Sequence, residues 1–281
     1  MKLDLGKAWS DAVAKLSANF DVVLVVAGVF FFLPYLALML FLPAEMAELQ
    51  SGNRQPDIDK LGEIMLEFYS GFWWVFVLIG IAQGIGTLVL MILLSDRARP
   101  TLGEALGLAA KLFLPFFAAQ LLVGFVMGLV MLIPIFIGAI GAASEMPLLI
   151  GVAVIVGIAA LVAAIYIYTK TSLVAAAVAV ERTMNPVEAL QQSWRATKGN
   201  SIMLFFFYLL LVIAIGIVSF MITSVIGLIF ALTGPVVAQY GNGIVASLVN
   251  AATAALMAGI VISVYLQLTG GNVAETRETF E

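Results

Sequence analysis

Long apolar runs separated by short polar connections dominate the chain. Six such runs can be drawn, at residues 22–42, 72–94, 112–138, 148–169, 201–232 and 244–268. Each is long enough to cross a hydrocarbon core of about 30 Å at about 1.5 Å of rise per helical residue. Backbone in lipid must satisfy its own hydrogen bonds, so these runs are predicted to be helices. The predicted fold is all-α, a polytopic membrane protein with six transmembrane helices in one membrane domain over residues 1–281. The third and fifth runs exceed a perpendicular crossing and should tilt, bend or enter the interface. Pro34 and Pro115 are the expected bend points. The first run is longer than a signal-peptide core of about 7–15 residues and reads as a retained span.

A weaker pattern lies in the polar segments that precede the odd-numbered runs. Gly6-Lys7-Ala8-Trp9, Gly103-Glu104-Ala105-Leu106 and Val187-Glu188-Ala189-Leu190 align. In the first two copies a stripe follows at helical spacing: Trp9, Val13, Leu16 and Phe20, then Leu106, Ala110, Phe113 and Phe117. The third copy keeps Leu190 and Trp194, then departs to Thr197 and Ser201. Eleven residues beyond Lys7, Glu104 and Glu188 stand Ala18, Pro115 and Gly199, which are read as elbows. Each unit would be an amphipathic helix in the interface, a bend, and an out-and-back pair of spans. Three such units, about 1–95, 96–169 and 183–269 with a tail at 270–281, would be parallel repeats about an axis along the membrane normal. Thr101 with Glu104, and Asn185 with Pro186 and Glu188, are helix-start signals. Lys198-Gly199-Asn200 is a helix stop.

Charge fixes the expected orientation. All thirteen lysines and arginines except Arg54 and Lys60 fall on one side of this threading. Basic residues are retained in cytoplasmic loops, so both termini are expected in the cytoplasm. Arg54 and Lys60 sit in an acidic outer loop with Glu45, Glu48, Asp57, Asp59, Glu63 and Glu67, where residues 58–68 can form an amphipathic helix. Trp9 and Trp194 then fall at cytoplasmic span ends and Trp73 and Trp74 at the outer end of the second span, the depths at which tryptophan anchors are expected.

Composition narrows the chemistry. Hydrophobic residues make up 63% of the chain and charged residues 11%, against about 45–50% and about 25% in soluble domains. There is no histidine and no cysteine, which removes imidazole bases, thiol nucleophiles, disulfides and metal sites built on nitrogen or sulfur. The outer carboxylates lack the spacing of a calcium loop. No catalytic, cofactor-binding or metal-ligating residue is assigned, and nothing supports nucleic-acid binding.

Lys170 is the one ionisable residue set between apolar runs. Two readings stand. It either snorkels at the cytoplasmic end of the fourth span, with residues 172–180 lying along the membrane, or occupies a partly buried site where it meets a lipid phosphate, Glu181 or Glu188. Arg182, Arg195 and Lys198 are further candidate headgroup contacts. Gln83, Thr87, Gln120, Asn250, Thr253 and Gln267 could line a conduit, although such residues more often bond neighbouring helices. Gly80/Gly84 and Gly124/Gly128 are spaced for close helix packing.

The stretch Glu181-Arg182-Thr183-Met184-Asn185-Pro186-Val187-Glu188-Ala189-Leu190-Gln191-Gln192-Ser193-Trp194-Arg195-Ala196-Thr197-Lys198-Gly199-Asn200 resembles bacterial multi-pass proteins related to the membrane domain of glycerophosphoryl diester phosphodiesterases. Its Glu-Ala-Leu, Ser-Trp-Arg and Lys-Gly-Asn clusters carry the likeness. Arg99-Pro100-Thr101-Leu102-Gly103-Glu104-Ala105-Leu106 looks like the corresponding earlier entry. Some members of that family carry a phosphodiesterase barrel fused after the membrane region, and the chemistry belongs to that barrel. The resemblance therefore implies a bacterial inner-membrane module without inherited catalytic residues.

The expected function is a non-enzymatic accessory or scaffold of the membrane. Its expected partners are membrane lipids, with other membrane proteins or further copies of the chain as alternatives. A transporter or small-solute or lipid conduit is the main rival. A lipid-modifying enzyme using Lys170, Glu181 or Tyr166 is the second.

Overall fold

The computed structural model describes residues 2–40, 58–95 and 100–270. Arg54, Arg97, Arg99, Arg277, Glu45, Glu48 and Asp57 lie outside the described residues, as do the side chains of Asp59 and Lys60. The described elements are helical: α1 (Leu5–Ala18), α2 (Phe20–Ala27), a π turn (Gly28–Phe32), α3 (Leu33–Leu40), α4 (Ile58–Leu94), α5 (Leu102–Ala143), α6 (Pro147–Thr171), α7 (Val174–Glu181), α8 (Pro186–Ala196), α9 (Ser201–Ala231) and α10 (Pro235–Thr269). Six stretches are long and apolar enough to cross a membrane: Phe20–Leu40, Gly62–Leu94, Leu102–Ala143, Pro147–Glu181, Ser201–Ala231 and Val236–Thr269. They correspond one to one with the six apolar runs.

Local chemistry sets the boundaries. Asp4 caps α1 by accepting from the Lys7 N–H at 3.0 Å. At the start of α5, Thr101 and Glu104 exchange bonds as a capping box, with the Thr101 N–H donating to Glu104 Oε2 at 2.8 Å. Asn185 accepts from the N–H of Val187 at 3.0 Å ahead of Pro186. Glu188 does not return that bond; one of its carboxylate oxygens accepts from Thr183 instead. Gly199, at φ +84°, separates α8 from α9, a conformation that only glycine adopts without strain.

The proposed elbows are not alike. Helices break after Ala18 and around Gly199, but α5 runs unbroken through both Pro115 and Pro134. Proline removes one ladder bond, and helices packed in a membrane tolerate that loss where neighbours hold the segment. Pro115 is buried within such packing. Near Pro34 the ladder does change. The Leu33 N–H reaches back five residues to the Gly28 carbonyl, and the Phe31 carbonyl accepts from Asn250 of α10 at 3.5 Å. Nor is there a separate helix at residues 58–68, which form the first turns of the 37-residue α4.

The core lies at the end of the bundle that carries α1 and α8. Three stretches there are buried almost all round: residues 88–94 of α4, 174–180 of α7 and 260–266 of α10. Each of these three helices contacts the other two. Around them lie α1 and α8 with the first turns of α5. Helix α1 packs on α10, α5 on α4, and α8 on α7, so each outer segment covers a different member of the inner trio.

What lets the outer helices approach is a pair of small residues. Ala8 and Ala12, Ala105 and Ala109, and Ala189 and Ser193 are all fully buried. They occupy the same two positions counted from Lys7, Glu104 and Glu188. Large stripe residues of the first and third segments lie on the outside, with Trp9 44%, Val13 41% and Trp194 40% exposed, whereas Leu106 and Leu190 are partly buried against the core. The stripe's third residue turns inward again, with Leu16 packing over Gly259 of α10 and Phe113 over Gly84 of α4. Thr197, the equivalent in the third segment, is buried. Away from this end, α5, α6 and α9 present leucine, isoleucine, valine and phenylalanine outward, as a lipid-facing surface requires.

Candidate functional site

Two sites follow from a single break in the fourth span. Helix α6 stops at Thr171, residues 172 and 173 form a turn, and α7 continues into the core. Discontinuous helices place side chains and backbone ends where an unbroken helix would hold them in its own ladder.

On one side of the break lies Lys170. Its residue is only 4% exposed, and α7 beyond it is buried in the core. Residues 174–180 are therefore covered by α4, α5, α8 and α10 and do not form an exposed membrane-facing surface. The Lys170 ammonium sits 5.7 Å from the Tyr166 ring centroid and 5.4 Å from that of Trp194. Those two rings meet edge to face at 5.8 Å. Ser193, one of the small docking residues, donates its hydroxyl to the Lys170 carbonyl at 2.8 Å and ties α8 to the break. Cation–π contact at such a partly exposed site is worth about 0.5–1 kcal/mol, so the rings hold the ammonium in place. They provide no lone pair for its N–H groups.

The carboxylates considered as partners do not meet Lys170. Glu181 accepts from the Tyr265 hydroxyl at 3.4 Å, and Glu188 from Thr183 at 3.2 Å and Gln192 at 3.5 Å. Among the described residues the Lys170 ammonium has neither a hydrogen-bond nor an ion-pair partner. The like charge of Lys198 is close enough to act on it. Arg195 and Lys198 are exposed and follow Trp194 at one and four residues. Arg182 is exposed at the left-handed end of α7, at φ +53°. Of the four candidate headgroup contacts, Lys198 lies about one turn beyond Trp194, the residue whose ring is 5.4 Å from the Lys170 ammonium.

On the other side of the break is a cleft of about 490 Å³. Thr87, Gln120, Tyr168, Thr171 and Ser172 supply its polar lining, and Met91, Met127 and Met257 part of its apolar wall. Two of the six polar span residues thus reach a common space. Asn250 and Gln267 act instead as links between helices, on the Phe31 carbonyl and the Asp4 backbone. The Thr87 hydroxyl is held by the Gln83 carbonyl at 2.8 Å. Tyr168, Thr171 and Ser172 were not singled out from sequence, although their spacing of three and four places them on one helical face.

The four tryptophans divide between the two ends. Trp73 and Trp74 are 63% and 51% exposed on α4, next to a cluster in which Phe68 meets Phe72 and Phe76 at 5.2 and 5.7 Å. Trp9 lies outward on α1, whereas Trp194 also covers Lys170. Among the described residues no group of histidine, cysteine, aspartate or glutamate is arranged to hold a metal.

Six apolar helices with a lipid-compatible exterior define a multi-pass integral membrane protein. No family model, curated protein or solved structure matches the chain.

Proposed function

We propose that this protein is a non-enzymatic scaffold or accessory of a bacterial inner membrane, with both termini and the three docking segments on the cytoplasmic leaflet. It would act by organising anionic lipids or partner proteins at that face. The observation that carries this reading is the packed base at the end of the bundle formed by α1, α8 and the first turns of α5. The inner parts of α4, α7 and α10 fill its centre with apolar side chains, while α1, α5 and α8 turn large residues such as Trp9 and Trp194 outward. A solid base with an amphipathic rim suits attachment better than passage. The shared placement of the small pairs supports three repeated units, the second extended to take in α7. A relationship to the membrane domain of glycerophosphoryl diester phosphodiesterases belongs to the same proposal and rests on the Glu-Ala-Leu, Ser-Trp-Arg and Lys-Gly-Asn clusters.

Purification with native lipids, followed by lipid analysis and in-membrane crosslinking, tests this. Enrichment of anionic lipid or a reproducible crosslinked partner is expected. Recovery of neither contradicts it. The cleft favours a conduit as the second reading. In this cysteine-free chain, Gln120→Cys should resist a membrane-impermeant thiol reagent added from the cytoplasmic side. Rapid modification would favour the conduit.

A further inference from the structure

We infer that Lys170 and Lys198 seat the phosphate of an anionic phospholipid at the cytoplasmic face, the Lys170 ammonium being held over Tyr166 and Trp194 without an acceptor of its own. The inference rests on the lipid-associating function proposed above and assigns it to one place.

The argument is one of unmet valence. An ammonium has three donors and no acceptor capacity; the Lys170 stem is covered by protein while its nitrogen stays open at the surface between two half-exposed rings, so its donors point to a ligand from outside the chain. Tyr166 and Trp194 lie 5.7 and 5.4 Å from Lys170 Nζ and respond to its charge through their ring faces, which leaves the N–H groups to another ligand. The described neighbourhood adds positive charge through Lys198 rather than a carboxylate. Glu181 and Glu188, the acidic residues nearest in sequence, accept from Tyr265 and from Thr183 and Gln192. The missing component is an anion with several acceptor oxygens, and phosphate has that form.

Position selects the source. Lys170 ends a membrane-spanning helix, and a tryptophan and a tyrosine beside it match the depth at which such rings sit among lipid headgroups. Two ammonium groups at one phosphate also discriminate between headgroups. A phosphatidylglycerol phosphate brings net negative charge, whereas the choline of phosphatidylcholine brings a cation toward Lys198. Inorganic phosphate shares the binding chemistry but has no acyl chains to hold it at this depth.

The test is lipid retention by the full chain in nanodiscs of phosphatidylglycerol and phosphatidylcholine, read by native mass spectrometry. The wild type should prefer phosphatidylglycerol, and Lys198→Gln should weaken that preference about fivefold, as expected for one basic group near the surface. Lys170→Gln should abolish it and Lys170→Arg retain most of it. Millimolar inorganic phosphate should not displace the lipid. If Lys170→Gln fails to fold, the exposed Lys198→Gln variant decides the question alone. A wild-type preference that survives in folded Lys170→Gln and in Lys198→Gln overturns this site and leaves the scaffold reading standing. No wild-type preference at all overturns lipid association itself. Displacement by inorganic phosphate identifies a soluble anion as the occupant and overturns the lipid assignment.

Discussion

Gly86→Ala is expected to destabilise the bundle, although alanine is the better helix former. A methyl group at this position would stand 2.5 Å from Cβ of Phe30 and 2.9 Å from the Phe31 ring. Cβ of Phe30 is anchored to the backbone of the π turn, so the clash cannot be relieved by rotating a distal group. Helix α4 and the π turn would have to separate. Overpacking of this kind costs about 1–3 kcal/mol and occasionally more. Gly80, Gly124 and Gly128 make the contrast, since a Cβ at each meets nothing within 4 Å. Alanine there should be neutral or stabilise by up to about 1 kcal/mol through helix propensity. Denaturation of the four variants in one detergent separates the cases. Equal behaviour of Gly86→Ala and Gly124→Ala would contradict the packing described.

The second large effect concerns the docking pairs. Leucine in place of Ala8, Ala105 or Ala189 would insert a branched side chain where the outer helix lies against the inner trio, and all three positions are fully buried. Each substitution should cost about 1–3 kcal/mol. Leucine one residue later, at Trp9, should cost far less, because that side chain faces outward, and Leu106 and Leu190 already stand at the equivalent positions. Thermal unfolding in detergent measures the difference. A destabilisation confined to one segment, or larger at Trp9 than at Ala8, would show that the three helices do not dock in a common manner.

These predictions mark where the sequence could and could not be read. The six spans were legible because length and hydropathy alone determine what a bilayer accepts. Orientation within the bundle was not. The stripe beginning at Trp9 and Leu106 is visible as a helical periodicity, but lipid and protein core are equally apolar, so periodicity does not say that Trp9 faces outward and Leu106 is only partly covered while Ala8 and Ala105 are fully buried. The same ambiguity affected the glycines. Gly80/Gly84 and Gly124/Gly128 had the spacing of a packing motif, yet of these only Gly84 lies against a neighbour, Phe113, and the tightest approach belongs to Gly86, outside either pair.

The candidate site was legible only in part. Lys170 stood out as a charge between apolar runs, and the alternatives differed in what followed it. Residues 172–180 read from sequence first as a segment lying along the membrane, with a partly buried site at Lys170 as the alternative. That the segment is covered follows only from the packing of α7 against α4, α8 and α10, contacts that join parts of the chain far apart in sequence. The roles of Trp194 and Ser193 at Lys170 depend on the same long-range docking. Helix caps were better determined because their partners lie within three residues, as with Thr101 and Glu104.

Single-cysteine accessibility tests the central arrangement most directly, because the chain contributes no cysteine of its own. Lys7→Cys, Glu104→Cys and Glu188→Cys, all at exposed positions, should be modified by an impermeant reagent from one membrane face only. Glu145→Cys, in the exposed turn between α5 and α6, should be modified only from the other. Labelling of Glu104→Cys and Glu188→Cys from opposite faces would contradict the account.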